Sequence, residues 1–433
     1  MDQPAQPSRR EFLKTSSAAV AGGVGLHLSL ASAVHAAGDD TLKVGLVGCG
    51  GRGTGAANQA LHADPNAKLV AVADVFRNQV DYSIENLKTT AEIADRVQVD
   101  EDHKFVGLDA YKSLIDACDV VLLASPPGFR PWHFAYAVEK GKHIFTEKPM
   151  ATDAPGIRWV MESVKLAKEK KLGVLAGFCW RYDYPRRELF KRIHDGQIGE
   201  VLAIYGTYLT GPVKPMPEAD KRPAGITDLE WMVRNWYNFV WLSGDGLVEQ
   251  AVHTVDWLAW TMKDVMPASC TAVGGRQIPA HGGNIWDHIE VNYQWDNDLG
   301  TRGFLAQRQI SGCYNDNGLV VLGTKGSAHI GGRGVQITGE QPWRYEGEKP
   351  NMYQVEHNEF FASLRAGKPL NDGDRMCTST LMGIMGRMAG YTGRQITWEM
   401  ALNSQEVLVP EIKDWNTEVK VPPIAQPGIT QFV

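Results

Sequence analysis

The sequence predicts two folded domains of different build. The first is a doubly wound parallel α/β sheet; the second is an α+β domain with a large, mostly antiparallel open sheet and helices on one face. Three observations carry this expectation. The first half alternates short apolar runs with helix-like stretches, and the earliest run opens directly into a glycine-rich turn. From about Trp180 the alternation stops, and longer strand candidates follow, the later ones separated by Gly, Asn and Asp turns. At 433 residues the chain has room for two or three domains of roughly 100–200 residues, and the expected divisions are 1–36, 37–178 and 179–433.

Hydrophobic residues make up 43% and charged residues 22%, which excludes a disordered, collagen-like or coiled-coil chain. Lys plus Arg number 44 against 50 Asp plus Glu, a net charge of -6 without a long basic run, so no nucleic acid partner is expected. Six cysteines lack C-x-x-C or metal-type spacing and read as free and inert.

At the N-terminus, Ser8-Arg9-Arg10-Glu11-Phe12-Leu13-Lys14 precedes a run over 15–33 without Asp, Glu, Lys or Arg. Small-residue patterns follow at Ala31-Ser32-Ala33 and Val34-His35-Ala36. This reads as a secretory signal of the twin-arginine (Tat) kind, with cleavage expected after Ala36. No later segment carries 18 uninterrupted apolar residues, so a periplasmic protein free of the membrane after cleavage is expected, with the Tat export machinery as a partner.

Residues 42–47 (LKVGLV) read as a buried parallel strand running into Gly48-Cys49-Gly50-Gly51-Arg52-Gly53, a G-x-G-x-x-G turn. A helix over 54–62 and an apolar strand over 67–73 follow, ending in Asp74, 21 positions past Gly53. The glycines let the backbone approach a pyrophosphate seated on helix N-terminal amides, and an acid at this distance accepts from a ribose 2′-hydroxyl. The unit therefore reads as a Rossmann dinucleotide-binding domain with NAD as cofactor. Asp74 would repel the 2′-phosphate of NADP unless Arg52 or Arg77 offsets it.

The alternation continues with a strand over 119–124 that stops at Ser125-Pro126-Pro127, a helix over 133–140, and a strand over 143–145 leading into Glu147-Lys148-Pro149. A helix over 160–171 and a strand over 172–177 close the domain. Ligands bind beyond the carboxyl ends of such strands, so Ser125, Pro126, Glu147 and Lys148 should border the same crevice as Gly48. The second half predicts a helix over 184–194, a strand over 200–210, a Pro-rich loop over 211–223, an aromatic helix over 228–242 and a helix over 247–262. Strands over 269–276, 289–295, 303–310 and 319–322 and helices over 353–366 and 377–392 complete it.

In this order the chain resembles the glucose-fructose oxidoreductase and inositol dehydrogenase (Gfo/Idh/MocA) family of two-domain sugar dehydrogenases, and within it the exported bacterial branch with a twin-arginine signal. The glycine turn, Glu147-Lys148-Pro149, Trp180-Arg181-Tyr182-Asp183-Tyr184-Pro185, the stretch from Gly244-Asp245-Gly246 through His253 to Asp256, and Thr392-Gly393-Arg394-Gln395-Ile396-Thr397-Trp398 carry the resemblance. It spans essentially the whole chain after the signal. It implies an NAD(P)-dependent oxidoreductase acting on a sugar or polyol, with Lys148 and His253 at the family's catalytic positions. It also implies a homo-dimer or homo-tetramer associating through the open sheet of the second domain.

Oxidising a secondary alcohol requires a base for the O–H proton and a cationic acceptor for the C–H hydride. Lys148 suits the first task if burial and the positive nicotinamide ring lower its pKa towards neutrality. Glu249 and His253 are four apart on a predicted helix and share a face, with Asp256 three further on. His253 is thus expected to be held and tuned by an acid. The family more often has Asp where Glu249 stands, and the longer side chain bears on which hydroxyl is oxidised. Nothing completes a zinc set around the Glu-x-x-x-His spacing, so no metal is expected.

Trp180 and Arg181 follow the last strand of the first domain and should lie near the nicotinamide and substrate. Arg181 reads either as a ligand for substrate or as an internal salt bridge. Trp231, Trp236, Tyr237 and Trp241 crowd one segment, as a sugar-stacking wall that includes Trp236 or as packing between helix and sheet. His133, His143 and His288 carry no functional expectation.

Outside the cytoplasm a free NAD(H) pool is not expected, so the cofactor should be tightly held and recycled by a second carbonyl compound. Two other readings are a redox-assisted glycoside hydrolase, in which transient oxidation of a ring hydroxyl drives elimination of the glycosidic bond, and a non-catalytic sugar sensor.

Overall fold

The computed structural model describes residues 40–433. The twin-arginine segment and the small-residue run that follows it lie outside the described residues. The first sheet has six parallel strands, β1 (Leu42–Val47), β2 (Ala67–Asp74), β3 (Lys104–Val106), β4 (Val120–Leu123), β5 (His143–Thr146) and β6 (Val174–Ala176), in the order β3-β2-β1-β4-β5-β6. Its central strands are apolar end to end because helices cover both faces. All four residues of β4 are buried, as are five of six in β1. The strand order reverses between β1 and β4, and the crevice beyond their carboxyl ends is where a doubly wound sheet binds its ligand.

The second sheet has nine strands. These are β7 (Val201–Thr210), β8 (Ser269–Gly275), β9 (His288–Gln294), β10 (Arg302–Gln309), β11 (Leu319–Gly323), β12 (Gly326–Gly331), β13 (Gly334–Gly339), β14 (Trp343–Arg344) and β15 (Ile396–Thr397), in the order β14-β13-β12-β11-β7-β10-β9-β8-β15. All pairs are antiparallel except β7 with β10. Both fold expectations, the parallel sheet and the mostly antiparallel one, are met. The sequence reading missed the β12–β13 hairpin because its ends are glycines, Gly326 and Gly331 facing Gly339 and Gly334, and glycine carries no strand pattern.

Helices Val252–Thr261 and Gly373–Thr392 pack on one face of this sheet. The second is buried along nearly its whole length. It approaches closely through glycines: a Cβ at Gly386 would lie 2.7 Å from the Tyr293 hydroxyl, and one at Gly390 2.7 Å from Ile289 Cδ1.

Three expectations need correction. The helix expected over 228–242 is three short pieces, Asp228–Arg234, the 3₁₀ turn Trp236–Asn238 and Val240–Ser243. Asn235 stops the first by turning its amide back to the Trp231 carbonyl at 3.0 Å. The helix expected over 247–262 is broken into Gly246–Glu249 and Val252–Thr261. At the break both Gln250 and Ala251 amides donate to the Gly246 carbonyl, and the His253 amide donates to Gln250 instead of Glu249. Finally, the Met352–Arg365 helix leaves the second sheet and lies on the Gly51–Ala63 helix. Its Phe360, Phe361 and Leu364 join the first sheet's core beside Leu46 and Leu122.

Candidate active site

The glycine turn follows β1 directly. Gly48 has φ +93°, a conformation that favours glycine. A Cβ at Gly53 would sit 1.9 Å from the Gly48 carbonyl oxygen, so this glycine lets the Gly51–Ala63 helix meet the strand end. Gly50 and Gly51 differ from these two. Ideal Cβ atoms there meet nothing within 4 Å, which leaves open space at a helix N-terminus where a pyrophosphate fits.

Asp74, at the end of β2, accepts from the Cys49 amide of the turn at 2.8 Å and from the Phe76 amide at 3.0 Å. Burial pushes its carboxyl pKa up against the pull of those amides. A cleft opens beside it, lined by Gly48, Asp74, Gly107, Ser125, Pro126 and Phe129 among others.

His133 also lines this cleft, which the sequence reading did not anticipate. Its Nδ1 meets the Ser125 hydroxyl at 2.9 Å and its ring stacks on Tyr111 at 4.2 Å. Burial, with Arg130 nearby, pulls its pKa down to about 3, so the ring is neutral. No spacing in the sequence signals this pair.

The two arginines expected to offset a 2′-phosphate are engaged elsewhere. Arg52 binds Glu147 at 2.7 Å and Gln59 at 2.8 Å, with its guanidinium 4.9 Å from the Tyr353 ring. Arg77 binds Asp81 and Glu101.

Lys148 lies beyond β5, buried, with 9% of its side chain exposed. Its Nζ donates to the Glu249 carbonyl and to Glu249 Oε1 at 3.2 Å. That carbonyl is available because the helix break removes the His253 amide from it. The other Glu249 oxygen accepts from Gln250 Nε2 at 2.6 Å, and Gln250 Oε1 accepts from the Tyr208 hydroxyl at 2.6 Å. Arg130, also unanticipated, is buried and joins the two loops of the crevice, donating to the Ser125 carbonyl at 2.5 Å and to the Pro149 carbonyl.

His253 sits one turn past Glu249, with its ring 4.8 Å from Trp180 and 6.1 Å from Phe178. Burial, then the Lys148 and Arg186 charges, hold its pKa well below the usual range. Its Nδ1 is buried without a partner. The expectation that an acid holds this imidazole is therefore wrong. Glu249 faces Lys148, and Asp256 is taken by Arg181 and Ser379.

The substrate-binding assignment of Arg181 is also corrected. All three guanidinium nitrogens bind Asp256 and Asp264, and the group is 5% exposed. Trp236 packs edge-on to Tyr237 at 5.6 Å within the apolar cluster that includes Val233 and Trp241, in line with the packing alternative. Trp180 stacks on Trp257 at 4.1 Å and borders His253. Among the described residues no group of three His, Cys, Asp or Glu is placed to hold a metal ion, and no helix is long and apolar enough to cross a membrane. All six cysteines are unpaired.

Sheet, turn and cleft together define a dinucleotide-binding protein. The chain belongs to the Gfo/Idh/MocA family: residues 42–178 match the oxidoreductase family's NAD-binding Rossmann fold and residues 186–329 match its C-terminal domain. An inositol 2-dehydrogenase of Rubrobacter xylanophilus is 26% identical over 296 residues, 67% of this chain and 72% of that protein. Other inositol dehydrogenases that the chain matches are spanned over little more than half their length. A glycosyl hydrolase family 109 protein of Shewanella pealeana is 27% identical over 266 residues, 56% of this chain and 55% of that protein. Among solved structures, a levoglucosan dehydrogenase in complex with NADH and levoglucosan shares the fold, with a TM-score of 0.65, 19% identity and coverage of 83% of this chain and 99% of that one. The chain is thus an NAD(P)-dependent oxidoreductase of the family that acts on sugars and polyols, with NAD as its cofactor.

Proposed function

We propose that the protein oxidises or reduces one carbon of a sugar or polyol in the crevice between Lys148 and His253, using an NAD held in the cleft beside Asp74. The observation that carries this reading is the joining of Lys148, from a strand end of the first sheet, to Glu249, one turn before His253 in the second domain. When bound, NAD supplies the nicotinamide ring that accepts or returns the hydride.

The chain's own residues handle the proton. Lys148 has three N–H donors, and Glu249 engages two directions with its carbonyl and Oε1. One direction is left for a substrate hydroxyl. In the oxidising direction Nζ, as the amine, takes the hydroxyl proton along this third direction, and in the reducing direction the ammonium returns it. The neutral, unpartnered Nδ1 of His253 orients a second hydroxyl, which fills a hydrogen bond the folded chain leaves open. Gln250 and Tyr208 hold the Glu249 carboxylate in place.

The reading extends to export in the folded state, supported by the twin arginine, and to a homo-dimer or homo-tetramer. The second is supported by Tyr205, Val273 and Leu322, which are exposed on strands of the second sheet. A redox-assisted glycoside hydrolase is the second reading, favoured by the family 109 relative.

The test is to purify the protein from the periplasm, release and identify any nucleotide, and mix the holoprotein with candidate sugars and a chromogenic glycoside. A 340 nm change reversed by a second sugar is the expected result. Aglycone release without net NADH would favour the hydrolase, and nucleotide binding with neither response would favour a sensor. Lys148→Ala should keep the nucleotide and lose at least a thousandfold in turnover; retained activity removes Lys148 from this role.

A further inference from the structure

We propose that the adenosine half of the nucleotide is latched in place by residues from outside the first domain, so that NAD behaves as a resident group released only when the latch opens. The proposal rests on the reading that the cleft beside Asp74 holds the nucleotide. An acid at the end of the second strand is the ribose-binding position of this fold, so the cleft beside it takes the adenosine.

First-domain residues form most of the cleft wall, but one side is closed by Val233, from the Asp228–Arg234 helix of the second domain. Val233 is 5% exposed and Phe129, which lines the same cleft, is 9% exposed. This closure is a packed contact between domains and leaves no open rim at Val233.

The C-terminal segment reinforces it. Residues 404–433 form neither helix nor strand, yet Val409, Ile412, Trp415 and Val419 join Phe129, Val233 and Trp241 in one apolar cluster. Phe76, two positions past Asp74, is engaged twice from outside its own domain. The Arg234 guanidinium lies 4.1 Å from its ring centroid, and Trp415 stacks on it at 5.9 Å with the planes 23° apart.

The segment is tied down at both ends of this contact. The Leu408 amide donates to Asp153 at 2.9 Å, Glu406 pairs with Arg387 at 3.0 Å, and the Pro422 carbonyl accepts from Asn284 at 3.2 Å. Val75, which lines the cleft with Val233, directly precedes Phe76, so a nucleotide leaving past Val75 and Val233 must first separate apolar and cation–π contacts that water does not replace. The arriving nucleotide meets the same barrier. The latch therefore slows release and capture together, and lengthens residence without any added contact to the pyrophosphate.

The test uses the full chain and NADH itself. NADH-loaded protein is mixed with excess ADP-ribose, and loss of bound-NADH fluorescence is followed for the wild type, Trp415→Ala, Phe76→Ala and Trp415→Phe. No sugar is present. The expected result is release over minutes or longer in the wild type. Trp415→Ala and Phe76→Ala should each release at least tenfold faster, ~1.4 kcal/mol of barrier, and Trp415→Phe should stay near the wild-type rate. Circular dichroism and melting curves identify any variant that has simply unfolded, and Trp415→Ala, a change in a half-buried residue of an irregular segment, is expected to fold. Wild-type release within a second, or equal rates in wild type and Trp415→Ala, overturns the latch and leaves the hydride-transfer reading intact. No NADH binding at all overturns both.

Discussion

The glycine turn and the Lys148 crevice lie at the carboxyl ends of β1 and β5, two strands of one sheet with β4 between them, yet they are assembled from different kinds of information. The turn is contiguous, and its acid lies within the same β-α-β unit. Asp74 reaches the Cys49 amide because β1 and β2 are hydrogen-bonded neighbours. The crevice joins Lys148 to Glu249, 101 positions away, and one of the two acceptors it offers the lysine is a carbonyl freed by a broken helix. A broken turn beside a functional group is a recurrent device, since the released carbonyl is a fixed dipole that needs a partner. The first region is dictated by what backbone sterics allow, the second by which surfaces pack against each other.

The comparison can be broken most severely at Gly53. Gly53→Ala places a methyl 1.9 Å from the Gly48 oxygen, so the turn must open. NADH affinity should fall at least a hundredfold, ~2.7 kcal/mol, with a lower melting temperature. Fluorescence titration and calorimetry check this, and unchanged affinity would show that the turn is not where the pyrophosphate sits.

A pH series sharpens the contrast, because each region holds one buried neutral imidazole. His133 in the cleft has its pKa lowered to about 3, and that of His253 in the crevice is lowered as well. Both are neutral when folded and titrate near 6.5 when unfolded. The native state therefore binds fewer protons, and the associated stability is complete above about 6.5 and lost as pH falls. Between pH 6.5 and 5, His133 alone accounts for ~2 kcal/mol. Denaturant unfolding at pH 7, 6 and 5 should track this loss, and His133→Gln should flatten it. An identical slope in the variant would argue against a buried neutral ring.

Glu249→Gln is the mildest of the three. It keeps the side-chain length and the main-chain acceptor for Lys148 but removes the carboxylate charge beside Nζ. Turnover should drop about tenfold with a changed pH profile, while NADH affinity stays within twofold. A loss confined to KM would instead make Glu249 a substrate contact.

Much of this molecule was readable before folding. Continuous apolar runs marked β1, β4 and β5 as interior parallel strands, and the turn with Asp74 announced a dinucleotide site. The catalytic roles expected of Lys148 and His253 came from the family pattern. Other features were hidden for identifiable reasons. Glu249 and His253 looked like one helical face because period alone cannot show that Gln250 and Ala251 would both bond to Gly246. Arg181 read equally as a substrate ligand or an internal salt bridge because its partners, Asp256 and Asp264, are 75 and 83 positions away. His133 looked idle because Ser125 and Tyr111 reach it only across the folded sheet end.

The chain's own order of residues determined the local geometry: strand, turn and helix, the glycines that strand ends demand, and the acid one strand further on. These follow from steric limits and hydrophobic period, which act over a few residues at a time. Tertiary structure alone decided which charge meets which. It turned Glu249 to Lys148, withdrew Arg181 into the Asp256 and Asp264 carboxylates, and brought Trp415 onto Phe76. Burial makes such pairings obligatory, because a charge or ring removed from water takes whichever partner the packing brings within reach.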